Sequence, residues 1–535
     1  MGESLVTTRP PIMGKRGMVT SPHYLASLTG VRILLQGGNA VDAAVATNAA
    51  LNVVYPTMCS PGGDGFMFIY LAETDELKAL NASGRSPYEA TKGFFLNKGM
   101  TTIPLRGILP VTVPGIVDGW DLALRKFGTM SFPEVLRPAI EYAEQGFPVS
   151  NKLSGFIKTY ERLLSAFPTS ARVFLKDGRA PEPGDILIQQ DLARTFRKIS
   201  QRGRDAFYEG EIGEEIVKFS QENEGLLTLR DLEDHQSNLV DPIKTVYRGY
   251  DVYGFPPNSQ GLTTLLELNI VEGFDLVSLG PQTADCIHLL VETKKLAFTD
   301  RDRYISDPDF VTIPVEKLLS KGYAEELREK IDFKRALKEV SLGNTMEGDT
   351  VYLAVVDGEG NAVSLIQSIF HGFGSGMVAG KTGVLLQNRG AYFSLKDDHP
   401  NRLEPHKRTL HTLSPLMVFK DEKPFLVFGT MGGDGQPQTH LQVITNIIDF
   451  KMNIQDAIEA PRWRSDHQKG SYILHMENRT EKKVQEELKK RGHNVNIQDE
   501  WEHLMGHAQG IIINQKTGVL TGGADPRGDG TAIAF

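Results

Sequence analysis

The residues of this sequence with chemistry to offer gather in its last third. Thr350 follows Asp349 and opens the apolar run "TVYLAVV"; the turn "DGEGN" leads into a second run, "AVSLIQS". That pattern predicts a β-hairpin, because Asp and Gly supply the backbone conformations of a tight turn. A threonine hydroxyl is not ionised near neutral pH, so as a nucleophile it needs a base within hydrogen-bond reach. A threonine that is itself an N-terminus carries one: a free α-amine has a pKa of about 7.7–8.0, against about 10.4 for lysine. Freeing that amine requires cleavage of the Asp349–Thr350 bond. The Thr350 hydroxyl can do this by attacking the Asp349 carbonyl, which gives an N→O acyl shift and then an ester that water opens. The plain alternative is that threonine is a good β-former and suits the first position of a strand.

A second candidate is the loop "GTMGGDGQPQTH" (Gly429–His440), set between a predicted strand and a predicted helix. Successive glycines there let backbone N–H groups face a cavity and hold an oxyanion, each donor being worth about 2.7–4 kcal/mol in a transition state. A simple strand-to-helix turn is the alternative, and a phosphate cradle a third. The chain lacks G-x-x-x-x-G-K-[ST] and a well-placed G-x-G-x-x-G, which argues against nucleotides. Arg85, in "NASGRSP", is either a surface residue or a bidentate clamp for a carboxylate. His503 and His507 have i, i+4 spacing but no H-E-x-x-H and no Cys or acidic cluster beside them, so no metal site is expected. "HKRTLHT" (His406–Thr412) either lines an anionic pocket or is a solvated loop.

The elements that must position these residues alternate between helix and strand. "NAVDAAVATNAALNVV" (Asn39–Val54) predicts a helix capped by Asn39. Gly65–Tyr70 predicts a buried strand, and Phe132–Gly146 an amphipathic helix ended by Gly146. "GLTTLLELNIVEGF" and "ADCIHLLVETKKLAFTDRDRYI" predict two further helices, and Lys317–Ile331 a surface helix. Strands are expected at Val351–Val356, Ala362–Ile366, Gly383–Leu386, Pro415–Phe419 and Phe425–Gly429, and helices at Leu441–Ile448 and over "EKKVQEELKKRG". The polar stretch "EVSLGNTMEGD" (Glu339–Asp349) is the best candidate for an exposed, cleavable connection. Strands covered by helices point to a layered α/β core.

Composition narrows the function. The 535 residues carry a net charge of -9, which argues against nucleic acid or an anionic membrane as the main partner. No apolar run approaches the ~18 residues of a membrane span. The first thirty residues show no apolar core of a secretory signal, so a cytoplasmic location is expected. Cys59 and Cys286 are the only cysteines. They define no disulfide framework and fit a reducing compartment.

Taken in order, "GGNAVDAAVA", "PGGDGFMFIY", "VPGIVDGW", "PPNSQGLTTLLELNIVEG", "GDTVYLAVVDGEGNAVS", "GFGSGMVAGKTGVLLQNRG", "HTLSPLMVF", "GTMGGDGQPQ" and "DPRGDG" resemble the γ-glutamyltransferase family of N-terminal nucleophile hydrolases, including its cephalosporin-acylase-like members. The resemblance runs through nearly the whole chain. It implies a four-layer α/β/β/α sandwich, made as a proenzyme that cuts itself between Asp349 and Thr350. Residues 1–349 would be the large subunit and 350–535 the small one, together forming one structural domain. It implies Thr350 as nucleophile and, through its amine, base. Gly432 and Gly433 would form the oxyanion hole, and Ser368 the hydroxyl that supports the nucleophile and its maturation. Arg85 matches the arginine that grips the substrate α-carboxylate, and Thr412 one of two hydroxyl residues beside it. No metal or organic cofactor is implied. The expected partners are a small-molecule or peptide γ-amide and the two subunits of one precursor; a homo-oligomer stays open.

Four positions and one connection depart from the pattern. In typical members an Asn, a Gln and an Asp bind the α-amino group of the γ-glutamyl moiety; the matching residues here are Phe370, Arg389 and Tyr392. His411 replaces the first of the paired hydroxyl residues, and the connection from Phe393 to His411 is shorter than in members whose lid covers the site. An arginine repels an ammonium. The resemblance therefore implies an amidohydrolase or acyltransferase acting on γ-glutamyl or glutaryl-type amides. The alternatives are an ordinary glutathione hydrolase and an uncleaved, non-catalytic binding homologue.

Overall fold

The hairpin forms where the turn residues call for it. Its strands, Asp349–Asp357 and Ala362–Phe370, pair antiparallel with Ala354 opposite Ser364. Asp357 holds the turn: its Oδ1 accepts from the N–H groups of Glu359 (3.0 Å) and Asn361 (2.9 Å), while Gly360 takes a left-handed φ of 88°. The computed structural model describes residues 7–338, 345–346, 348–468 and 470–535.

The hairpin is the centre of a seven-stranded antiparallel sheet. The strand order is Thr531–Ala534, Gly17–Ser21, Asp349–Asp357, Ala362–Phe370, Asp64–Leu71, Glu76–Ala82, Asn238–Val240. A second seven-stranded antiparallel sheet runs Ile12–Gly14, Leu520–Ala524, Ala508–Ile513, Lys423–Thr430, Leu416–Lys420, Tyr250–Gly254, Ile243–Tyr247. Side-chain alternation defines the layers. Tyr352, Ala354 and Val356 face Met417, Val427 and Ile511 in a core between the two sheets. Val351, Leu353 and Val355 point the other way, into a core with the buried helix Ala40–Val54. Leu416, Val418, Leu426 and Phe428 pack outward against the helices Gly261–Val271, Ala284–Tyr304 and Gly435–Ile448. Helices thus cover both outer faces of the stacked sheets, which is the expected four-layer arrangement.

The helix Ala40–Val54 starts as its cap predicts: Asn39 Oδ1 accepts from the Val41 and Asp42 N–H groups at 2.9 and 3.1 Å, and Asp42 returns a bond to the Asn39 N–H at 2.9 Å. Its alanines let it lie against the hairpin sheet, and two of its buried polar residues serve one purpose. Asn48 and Asn52 donate to Gln367 Oε1 at 2.7 and 2.8 Å, and Gln367 Nε2 donates to the Ser60 carbonyl at 2.7 Å. Gln367 is thereby fixed beside Ser368.

Four expectations need correction. Gly383–Leu386 is not a strand: the run is buried, but Gly383 has a left-handed φ of 72° and only isolated bridges form, at Leu385 and Leu386. Lys317–Ile331 divides into Val315–Leu318 and Lys321–Arg328. The helix expected from Leu441 begins at Gly435, since Pro437 falls in its first turn, where the missing N–H costs nothing. In "HKRTLHT", Lys407, Arg408, His411 and Thr412 are buried rather than solvated. The connection Glu339–Asp349 lies outside the described residues except for Thr345, Met346, Gly348 and Asp349. Both cysteines are free and buried. Among the described residues no helix is long and apolar enough to cross a membrane.

Candidate active site

Asp349 and Thr350 are joined in one strand, and the ladder is irregular there. Asp349 pairs with Phe370 but Val351 with Gln367, so three steps on one strand face two on the other. This bulge re-aims Ser368. Its Oγ donates to the carbonyl oxygen of Asp349 at 2.6 Å and accepts from the Phe370 N–H at 2.7 Å. A hydrogen bond on that oxygen draws electron density from the carbonyl carbon and stabilises negative charge formed there. Thr350 is buried (1% exposed), and its Oγ1 has no hydrogen-bond partner among the described residues. A buried hydroxyl left unsatisfied costs about 1–3 kcal/mol and calls for an explanation.

The Asp349 carboxylate is held from the far side by His503 Nε2 (3.3 Å) and Tyr160 Oη (3.4 Å), and His503 Nδ1 meets His507 Nε2 at 3.0 Å. A cavity of about 290 Å³ opens here, lined by Tyr160, Asp349, His371, Gly432, Arg464 and His503. Its opposite wall is the glycine loop. Gly432 and Gly433 adopt φ of 124° and 56°, conformations that L side chains avoid. They join the strand Lys423–Thr430 to the helix Gly435–Ile448, so the loop lies at the positive end of that helix. Their carbonyls are engaged: Gln260 Nε2 donates to Gly433 at 3.0 Å and Arg464 Nη1 to Gly432 at 3.2 Å. Gly348 packs on Gly433 so closely that a Cβ on Gly348 would sit 3.1 Å from the Gly433 Cα.

Beyond Phe370 lies a buried group of charges. Phe370 itself takes a left-handed φ of 80°, a strained choice for an aromatic residue, and its ring lies 4.3 Å from the Arg389 guanidinium carbon. Arg389 is fully buried. Its Nη1 donates to Thr412 Oγ1 at 3.0 Å, while Nε and Nη2 have no partner among the described residues. Burial pulls its pKa down to about 10 against the opposing pull of Asp64, Tyr392 and Asp434. Asp434 accepts from Tyr392 Oη at 2.8 Å and pairs with Arg301 at 2.7 Å. His411 Nε2 lies 3.2 Å from Asp64, yet burial and the charge of Arg389 lower its pKa to about 4, so the ring is neutral at pH 7.

Comparison with known proteins decides the family. The profile described as gamma-glutamyltranspeptidase matches residues 26–535. The chain belongs to the γ-glutamyltranspeptidase family. It is 46% identical over 527 residues (98% of this chain, 99% of the relative) to the glutathione hydrolase-like YwrD proenzyme of Bacillus subtilis (strain 168). It is 36% identical over 542 residues (98% and 95%) to the acylase ACY 1 proenzyme of Pseudomonas sp. (strain SE83). The crystal structure of cephalosporin acylase from Bacillus halodurans superposes with a TM-score of 0.93 at 39% identity, covering 100% of this chain and 99% of the other.

Within this γ-glutamyltranspeptidase-family chain, the site residues expected from sequence fall into two sets. Asp349, Thr350, Ser368, Phe370 and, through Gly348, Gly433 lie together, and Phe370 continues to Arg389, Thr412 and Tyr392. Arg85 is bound by Asp307 at 3.1 Å, Asp309 at 2.9 Å and the His406 carbonyl at 3.2 Å, one residue after Gly84, whose N–H donates to Asp64 at 3.0 Å. Sequence reasoning passed over Asp434, although it directly follows Gly433; it places a carboxylate beside Tyr392, where the three substituted positions alone offer none. Tyr160, Arg464 and the placement of His503 had no local signal. Among the described residues, His288, Glu292 and His493 come together in a metal-like group. Lys295 Nζ sits 2.7 Å from Glu292, and the two histidines bond to each other at 2.8 Å, so the group satisfies itself.

Proposed function

We propose that this chain is a self-processing amidohydrolase or acyltransferase that works through a threonyl ester. One observation carries the reading: Ser368 Oγ donates at 2.6 Å to the Asp349 carbonyl oxygen, next to a buried Thr350 hydroxyl that has no hydrogen-bond partner among the described residues. Thr350 Oγ1 attacks that carbonyl carbon while Ser368 stabilises the oxygen. Collapse breaks the C–N bond as the hydroxyl proton passes to the departing nitrogen, and leaves Asp349 esterified to Thr350, whose amine is then free. Water hydrolyses the ester, giving residues 1–349 and 350–535. In the processed enzyme the Thr350 amine takes the hydroxyl proton and Oγ1 attacks a substrate amide. The Gly432 and Gly433 N–H groups receive the oxyanion, the amine leaves, and water or an acceptor amine resolves the ester. The names of the relatives, which include proenzymes and an acylase, support this reading.

For the acyl group, the two unpaired donors of buried Arg389 favour a chain that ends in a carboxylate, as glutaryl does. Ordinary γ-glutamyl recognition is the second reading, and Asp434 favours it: a carboxylate beside Tyr392 and Arg389 can take an ammonium while Arg389 takes the carboxylate. Mass spectrometry of the incubated protein should find two fragments, the smaller beginning at Thr350, and one intact chain for Thr350→Ala. A wild-type chain that stays whole leaves only a non-catalytic homologue. Glutaryl and γ-glutamyl anilides then separate the two acyl readings by their kcat/KM.

A further inference from the structure

The residues just ahead of the scissile bond bind the site as a ligand would. At Met346 the contact is reciprocal: the Met346 N–H donates to Asp434 Oδ2 at 2.6 Å, and the Asp434 N–H donates to the Met346 carbonyl at 3.3 Å. Arg464 Nη2 reaches the same carbonyl at 3.4 Å. One residue earlier, the Thr345 N–H donates to the His467 carbonyl at 2.8 Å, and the His467 N–H to Thr345 Oγ1 at 2.7 Å. Gly348 rests on Gly433, and Asp349 on His503 and Tyr160. The hydrogen bonds at Met346 are all made by its backbone.

The receiving surface is anchored by contacts that do not involve the tail. Asp434 is fully buried and salt-bridged to Arg301, itself buried and bonded to Asp302 at 2.6 Å and Gln260 at 3.1 Å. His467 and Arg464 belong to the strand Trp463–Gln468, paired along its length with Ser471–Glu477. Cleavage after Asp349 turns this tail into a chain end, free to dissociate. Its departure removes the shorter N–H contact on Asp434 Oδ2 (2.6 Å) in a desolvated setting and leaves Arg301 Nη2 at 3.4 Å, so a replacement donor is favoured.

We propose that the track now held by Thr345, Met346, Gly348 and Asp349 is a peptide-binding subsite of the processed enzyme. It takes an extended peptide chain, whose backbone N–H replaces that of Met346 on Asp434 and whose neighbouring residue pairs with His467. The subsite reads backbone, so it tolerates varied side chains at the Met346 position. This rests on the self-processing reading, because only a cleaved chain vacates the track.

The test is calorimetric titration of the processed protein with acetyl-TMEGD, beside the same peptide N-methylated at its methionine. The unmodified peptide should bind, and the N-methyl peptide should bind roughly tenfold to a hundredfold more weakly, the effect of losing one charge-assisted hydrogen bond. Thr350→Ala protein, with its own tail in place, should bind neither. Asp434→Asn should weaken the unmodified peptide by about tenfold; the N-methyl comparison stands by itself if that variant does not fold. No binding to a protein shown by mass to be processed, or equal binding of both peptides, overturns the subsite. A protein that never processes overturns the reading beneath it, and its mass distinguishes that failure from the first.

Discussion

Arg85 and Arg389 carry the same group into opposite surroundings. Arg85 is partly exposed, and its guanidinium is spent on Asp307, Asp309 and a backbone carbonyl. Arg389 is fully buried, leans on the Phe370 ring and Thr412, and keeps two donors unpaired. A guanidinium already matched by fixed carboxylates gains little from an incoming anion. A desolvated guanidinium with idle donors gains a great deal, because its burial has already been compensated by the rest of the fold. The backbone strain at Phe370 makes the same point, since such strain persists only where the surroundings enforce it. The contrast is why the proposed acyl pocket is placed at Arg389: a donor carboxylate can use a charge that is available, whatever the composition of the loop that carries it.

The largest effect should come from Arg389→Ala. We expect kcat/KM for a glutaryl anilide to fall on the order of a hundredfold or more, as for other buried charge contacts, with a much smaller loss for a neutral butyryl anilide. Equal losses for both donors would mean that Arg389 only supports the fold. Arg389→Lys should restore part of the difference, since it returns the charge without the planar fork. Arg85→Ala comes next and should act on stability. Asp307 is buried and would lose one of its donors, a change of about 1–3 kcal/mol, read as a lower denaturation midpoint with an unchanged KM. A raised KM at unchanged stability would reverse the comparison and return the carboxylate role to Arg85, where the family pattern puts it.

What was legible in the sequence was local. The "DGEGN" hairpin and the Asn39-capped helix follow from turn and capping chemistry within a few residues, and both stand where expected. Gly383–Leu386 is as apolar as a strand, but Gly383 packs against Leu192 of the helix Gln190–Arg202 and the backbone of the run finds no continuous strand partner. At the site, Thr350 and the Gly432–Gly433 pair are candidates by pattern, each outweighed by a plain strand or turn reading, until the family resemblance singles them out. The bulge that brings Ser368 onto the Asp349 carbonyl has no such pattern, because a register shift is set by how two strands meet and by the Asn48–Asn52–Gln367 anchor beneath them. Which arginine would be neutralised was equally hidden: Asp307 lies 222 residues from Arg85 in the chain.

The smallest effect should appear in alkaline solution. Arg389 is charged below about pH 10 and loses its proton above that value, well before a solvated arginine would. The folded pKa is lowered, so between about pH 10 and the unfolded value the unfolded chain holds more protons than the folded one, and stability gains from this residue as pH rises. Binding goes the other way. A donor carboxylate needs the charge, so its advantage is full at pH 8 and should drop about twofold at pH 10, where half of the free enzyme has lost the proton. The readout is the ratio of kcat/KM for glutaryl and butyryl anilides from pH 8 to 10.5. The ratio cancels titration of the Thr350 amine, which serves both donors. The bound carboxylate holds the guanidinium in its charged form, so kcat alone should not show the drop. A flat ratio across that range would mean that Arg389 does not meet the acyl carboxylate, whatever its substitution does to activity.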